Sequence, residues 1–162
     1  MTLNIRPFKP SDLDTLVSFW REIENNPTLS GDFFSPSQEN ETRWRKHVLS
    51  VYEEDENQIL IAEDEGKLVG FIKIITLVTH PLVSNIRCSL ISDMYVLPEF
   101  RRKGVASTLM NRVFEYVKSK GVTHVRLNVM ASNTPAYNLY EKMGFVDYSI
   151  IMMKQLERAR KF

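Results

Sequence analysis

The stretch from Met94 to Ala106 holds the densest chemistry in the chain. An apolar run gives way to Arg101, Arg102 and Lys103, and Gly104, Val105 and Ala106 then open an amphipathic repeat. A strand that passes through a basic turn into a helix presents unpaired amides at the positive end of the helix dipole, and a phosphate placed there satisfies both deficits. Gly104 and Ala106 leave room for a ligand to approach the backbone. The pattern is neither the GxxxxGK[ST] loop of nucleoside triphosphatases nor the GxGxxG of dinucleotide folds. The plain alternative is a polar turn with a basic cluster. His47, His80 and His124 are scattered without ligand-like spacing, so no metal site is expected. Cys88 lies in a strand with no His or Asp arranged around it in sequence, which favours a buried structural thiol over a nucleophile.

The surrounding elements follow from periodicity. Leu3, Ile5 and Phe8 suggest a first strand before Pro10. Ser11 is then a candidate N-cap, with Leu13, Leu16, Val17, Trp20 and Ile23 at helical spacing. Asn25 to Pro36 carries too many turn residues for a regular element, and Ser35 followed by Pro36 restarts a helix through Trp44, Val48, Val51 and Tyr52. Residues 59–63 and 68–78 form a hairpin around Asp64, Glu65 and Gly66, and a third extended segment runs from about Cys88 to Val96 after a loop containing His80 and Pro81. Ala106, Leu109, Met110, Val113, Phe114 and Val117 make one helical face, ended by Gly121. A strand at 125–130, a short helix at about 135–143 and a last extended run at 145–153 complete the chain. The order β, two helices, three strands, helix, strand, helix, strand predicts an α/β (α+β) fold with a mixed sheet in which some neighbours are parallel.

The chain has 162 residues, 43% of them hydrophobic, which predicts one domain over 1–162. The longest apolar stretches, such as 70–78, are interrupted by Lys73 and fall well short of the roughly 20 residues that span a bilayer. With no apolar signal-peptide core near Met1 and the single Cys88, a reducing cytoplasmic location is expected. The net charge of +1 conceals an asymmetry: residues 1–65 carry −8 and residues 66–162 carry +9. A basic half suits a polyanion and an acidic half a cation, although solvated surface accounts for part of each.

Two blocks resemble the GNAT superfamily of acetyl-CoA-dependent N-acetyltransferases. Arg101, Gly104 and Ala106 match the family pattern of Gln or Arg, two residues, Gly, one residue, Gly or Ala. Asn133, Ala136, Leu139, Tyr140, Gly144 and Phe145 match Asn-x-x-A-x-x-L-Y-x-x-x-G-F. The resemblance implies a GNAT-like central mixed sheet flanked by about four helices, with the turn from strand 4 to helix 3 as the coenzyme site. It implies that the amides of Arg101, Arg102, Lys103, Gly104, Val105 and Ala106 bind the pyrophosphate. The backbone at Tyr95 and Val96 would pair with the pantetheine arm, and an amide near Met94 to Val96 would meet the thioester carbonyl. It places Tyr140 where relatives carry the acid for the departing thiolate, packing being the alternative. Asn133 either binds the coenzyme arm or caps a helix. Asp93, on the central strand and opposite in facing to Met94, is a candidate base, with Glu22, Glu24 and ordered water as rivals. Family members commonly end in a two-stranded hairpin, for which residues 145–156 are short.

The leading expectation is direct acetyl transfer from acetyl-CoA to a primary amine of a small molecule or peptide. The alternative is a noncatalytic acyl-CoA-binding regulatory domain of the same fold. Nucleic-acid binding through the basic turn and Arg158, Arg160 and Lys161 lacks interleaved aromatic platforms. In the family the first two helices and their connecting loop set acceptor specificity, which points here to Trp20, Glu22, Glu24, Asp32, Phe33, Phe34 and Trp44; aromatics with carboxylates suit a cationic, partly apolar amine, and the same residues read equally as core and surface. The family also forms dimers, so a homodimer lies within expectation.

Overall fold

A computed structural model describes residues 2–26, 37–55, 58–80 and 83–154, without the side chains of 77–80 and 83–85. Five strands form one sheet in sequence order: β1 Leu3–Pro7, β2 Ile59–Asp64, β3 Lys67–His80, β4 Val83–Val96 and β5 His124–Leu127. The first four run antiparallel to their neighbours, and β5 lies parallel to β4. The parallel pair requires a crossover. It is supplied by a 3-10 turn, Pro98–Phe100, and helix α3, Val105–Ser119.

The run Ile59 to Ala62 is buried without alternation because helices cover both faces of the sheet. On one face Leu60, Ala62, Val69, Ile72, Ile74 and Ile91 meet Leu109, Met110, Val113 and Val117 of α3. Helix α4, Thr134–Lys142, adds Leu139 and Tyr140 to that layer. On the other face Ile59, Ile61, Phe71 and Tyr95 meet helix α1, Leu13–Glu24, and helix α2, Gln38–Glu54, through Leu16, Val17, Phe19, Trp44, Val48 and Val51.

Several details differ from the sequence expectation. Asp12 rather than Ser11 holds the entry to α1: its Oδ2 accepts the Lys9 amide at 2.8 Å and its carboxylate pairs with Arg6 at 2.7 Å. A carboxylate can serve the amide and the guanidinium together, which a serine hydroxyl cannot. Helix α2 begins at Gln38 with the Ser37 hydroxyl accepting from the Asn40 amide at 3.1 Å, while Ser35 and Pro36 lie outside the described residues. Strand β4 begins at Val83 and β3 continues to His80, because pairing between the two strands extends past the expected loop.

The expected last strand at 145–153 is not formed. Phe145 packs on Phe114 and Tyr140 at ring separations of 6.1 and 5.9 Å. Beyond it the chain makes no ladder, and Val146, Tyr148, Ile150 and Met152 are 83%, 96%, 86% and 90% exposed. Alternation favours an extended chain, but a strand exists only when a neighbour takes up its hydrogen bonds.

Candidate active site

Three local features converge at the C-terminal end of β4. The first is an open edge. Pairing between β4 and β5 covers only Cys88 to Ile91 against His124 to Leu127, so among the described residues Asp93 to Val96 have a ladder partner on the β3 side alone. The Leu97 amide bonds to the Val69 carbonyl at 2.9 Å, and alternation through the register Phe71↔Tyr95 turns the Tyr95 main chain toward β3. Main-chain groups of Met94 and Val96 therefore face the open side. This refines the expectation for Tyr95, whose backbone is committed to the ladder while its ring is buried against Phe19 at 5.3 Å.

The second feature is the basic turn. Arg102 and Gly104 both adopt left-handed backbone, at φ 59° and 85°. Gly104 precedes α3 with no side-chain cap, and the first turn holds no acidic residue. The amides that open α3 are thus left without an intrahelical acceptor, and successive amides of a tight turn make a concavity suited to an anion. A Cβ built on Gly104 would meet nothing within 4 Å. The glycine is needed here for its φ, whereas the sequence argument rested on space. Arg102 and Lys103 are exposed, with the Lys103 ammonium 5.4 Å above the Phe100 ring. Arg101 is exposed too, but it is held at the base of the turn: its Nε donates to the Val96 carbonyl at 2.9 Å and its guanidinium lies over the Tyr95 ring at 5.6 Å. It clamps the turn onto the end of β4. Val105 is buried and Ala106 half-buried behind the turn.

The third feature lies on the α1 and α2 side of β4. Asp93 stands opposite Lys73 in the ladder and pairs with its ammonium at 2.7 Å, the two side chains being 20% and 3% exposed. Asp93 shares its face with Tyr95, as alternation predicts, whereas Met94 packs with the α3 layer. Glu24, half-buried at the end of α1, has its carboxyl raised by burial and then by the charge of Asp93. His47 of α2 is lowered, first by burial and then by Lys73. Trp20 is 6% exposed and stacked on Trp44 at 5.6 Å, so it forms core rather than an open wall. Glu22 is exposed and its charge reaches Tyr95. Asp32, Phe33 and Phe34 lie outside the described residues. Lys73 and His47 were missed as site groups because in sequence one interrupts an apolar strand and the other is a lone histidine; no spacing signals either.

Across the sheet, Tyr140 packs among the partly buried residues of the α3 layer, and burial pushes its phenol up to about 12. Asn133 caps α4: its Oδ1 accepts the Ala136 amide at 3.3 Å. Cys88 is partly buried, with its thiol 3.6 Å from the Ser89 carbonyl. No helix among the described residues is long and apolar enough to cross a membrane.

The sequence matches the acetyltransferase (GNAT) family over residues 17–145, and the chain belongs to that family. It is an N-acetyltransferase, as its curated relatives are named. An uncharacterised N-acetyltransferase of Bacillus subtilis, YhfO, is 27% identical over 143 residues, covering 88% of this chain and 89% of that protein. Spermidine N(1)-acetyltransferase of Vibrio cholerae is 26% identical over 150 residues, covering 90% and 79%. Among solved structures, AAC(6')-Iy in complex with the bisubstrate analogue CoA-S-monomethyl-acetylneamine superposes with a TM-score of 0.72 at 16% identity, covering 98% of this chain and 100% of that one.

Proposed function

We propose that the protein transfers the acetyl group of acetyl-CoA directly to a cationic primary amine of a small molecule or peptide. The observation that carries this reading is the open main-chain edge at Met94 and Val96, which leads into an uncapped helix start behind a basic turn. An extended arm can pair with that edge as a strand would, while the amides of residues 102–106 and the side chains of Arg102 and Lys103 hold its phosphates. The residues present fit the coenzyme. A main-chain N–H of Met94 or Val96 donates to the thioester carbonyl oxygen, where negative charge grows during attack.

Tyr140 donates a hydrogen bond to the departing sulfur. With the phenol at about 12 and an ordinary thiol at ~8.5, complete proton transfer would run uphill by roughly 5 kcal/mol. The phenol therefore stabilises the thiolate without having to surrender its proton first. Asn133 keeps its carboxamide oxygen for the helix and has only its NH2 group for the coenzyme arm. On the other face, Asp93 receives the ammonium of the acceptor and takes up its proton directly or through water, and Glu22 and Glu24 draw the cation in. A homodimer in which a second copy covers residues 146–153 and a cytoplasmic location, in keeping with the single Cys88, belong to the same reading.

The test is thiol release from acetyl-CoA across polyamines, aminoglycosides, amino acids and peptide N-termini, at two salt concentrations. Charge between exposed groups is screened over about 8 Å at physiological ionic strength. KM for the best amine should therefore rise with salt, and Glu22→Gln with Glu24→Gln should raise it while KM for acetyl-CoA stays put. A neutral or anionic best acceptor would overturn the choice of a cation, and tight acetyl-CoA binding without thiol release on any amine would favour a noncatalytic domain.

A further inference from the structure

The pairing between β3 and β4 changes register next to Lys73. Ile74 faces Ile91 and Ile75 faces Leu90, so an unbroken ladder would set Ser92 opposite Lys73. Ser92 is instead the extra residue of a bulge, and Asp93 takes the opposing position. Bulges re-aim side chains. Here the result is an ion pair of 2.7 Å with the ammonium almost fully enclosed. The Ser92 hydroxyl lies 2.9 Å from Asp93 Oδ2 and 3.3 Å from the Lys73 carbonyl, and the Trp44 ring lies 5.6 Å from the ammonium.

Stability does not account for such a pair. Taking both charges out of water costs about as much as their attraction returns, and apolar replacements are often neutral or stabilising. Asp93 nevertheless keeps 20% of its side chain exposed. Among the described residues, the charged groups linked to it sit on elements that pack there: Lys73 on β3, Glu24 on α1 and His47 on α2, with Glu54 acting on His47 in turn. Lys73 is the buried cation of that group; it pairs with Asp93, whose charge in turn acts on Glu24.

We propose that Lys73 is a positioning residue for acetyl transfer: across the Ser92 bulge it holds Asp93 on the acceptor side of β4 and keeps it a carboxylate beside Glu24, so that an arriving ammonium meets an anion rather than a shared proton. The inference rests on Asp93 serving the acceptor. Without the ammonium, Asp93 and Glu24 would repel each other in a poorly solvated site, and the pair would retain a proton to higher pH.

The pH profile of kcat/KM for the amine reads this directly. Lys73→Gln keeps a hydrogen-bond donor and removes the charge; its acid limb should move to higher pH by about one unit or more, with acetyl-CoA affinity within about twofold of the native value. Lys73→Arg keeps the charge in altered geometry, and its limb should stay in place although turnover falls. A folded Lys73→Gln protein with the native limb, or a limb displaced in Lys73→Arg, overturns the proposal. Because Lys73→Arg strands no carboxylate, it remains informative even where Lys73→Gln fails to fold. Asp93→Asn separates the two layers: full activity removes Asp93 from the acceptor site and this inference with it. An inactive Asp93→Asn beside a native limb in Lys73→Gln removes only the role of Lys73.

Discussion

Gly104→Val isolates what the turn before α3 does. In the free protein the new side chain meets no atom within 4 Å of its Cβ, so its cost there is conformational: a β-branched residue held at φ 85°. Such strain is worth roughly 1–3 kcal/mol. For a chain of this size each kcal/mol lowers Tm by about 2–4 °C, so a fall of several degrees is expected from the backbone alone. Gly66, in the turn between β2 and β3, has nearly the same φ of 81° and the same open surroundings. Gly66→Val is therefore the matched control, carrying equal strain in a turn outside residues 101–106. Bound coenzyme would bring phosphate oxygens against the turn, and a valine at 104 would then collide with them and distort the amides that receive them. Calorimetric titration with acetyl-CoA should give a Kd raised more than tenfold for Gly104→Val, at least 1.4 kcal/mol, and an unchanged Kd for Gly66→Val. Equal affinities in two similarly destabilised, folded variants would show that the turn is not the anchor.

Tyr140→Phe keeps the ring contact with Phe145 and removes the donor. A hydrogen bond to a charged group is worth roughly 1.5–3 kcal/mol, so kcat should fall about 10- to 150-fold with coenzyme affinity little changed. Undiminished turnover would assign Tyr140 to packing. Asp12 gives the acid dependence of the fold. Burial acts to raise its carboxyl, yet the Arg6 guanidinium and the Lys9 amide outweigh burial and hold it below the usual carboxylate range. A folded value lower than the unfolded ~3.9 means stability that is present above that pH and lost as pH falls through the folded value. Thermal melts should thus show a gap of about 2 kcal/mol between the native protein and Asp12→Asn at pH 7 that narrows toward pH 3. A gap independent of pH would contradict the pairing.

The local signals in the chain were sufficient for most of the elements and for the turn that precedes α3. The repeat from Ala106 to Val117 predicts α3, which spans Val105–Ser119, and the strand, basic turn and glycine in a row predict where unpaired amides occur. Both are local: helix periodicity and a left-handed turn are set by neighbours within a few residues. Other features depend on partners distant in sequence. Residues 145–153 read as a last extended run, but they form no strand, because that needs another edge. Trp20 reads equally well as a binding aromatic or as core, and the structure buries it in a stack on Trp44. Arg101 reads as a phosphate ligand, and only the tertiary structure adds the bond from its Nε to the Val96 carbonyl and its place over the Tyr95 ring. Lys73 in sequence only interrupts an apolar strand. The bulge at Ser92 sets it against Asp93, and bulges arise from the register of two strands, which neither strand carries alone. Most of the order of elements and the glycine turn before α3 were therefore written in contiguous residues, whereas the opening beside β4 and the charges that face it exist only once β3, β4, β5, α1 and α2 have packed together.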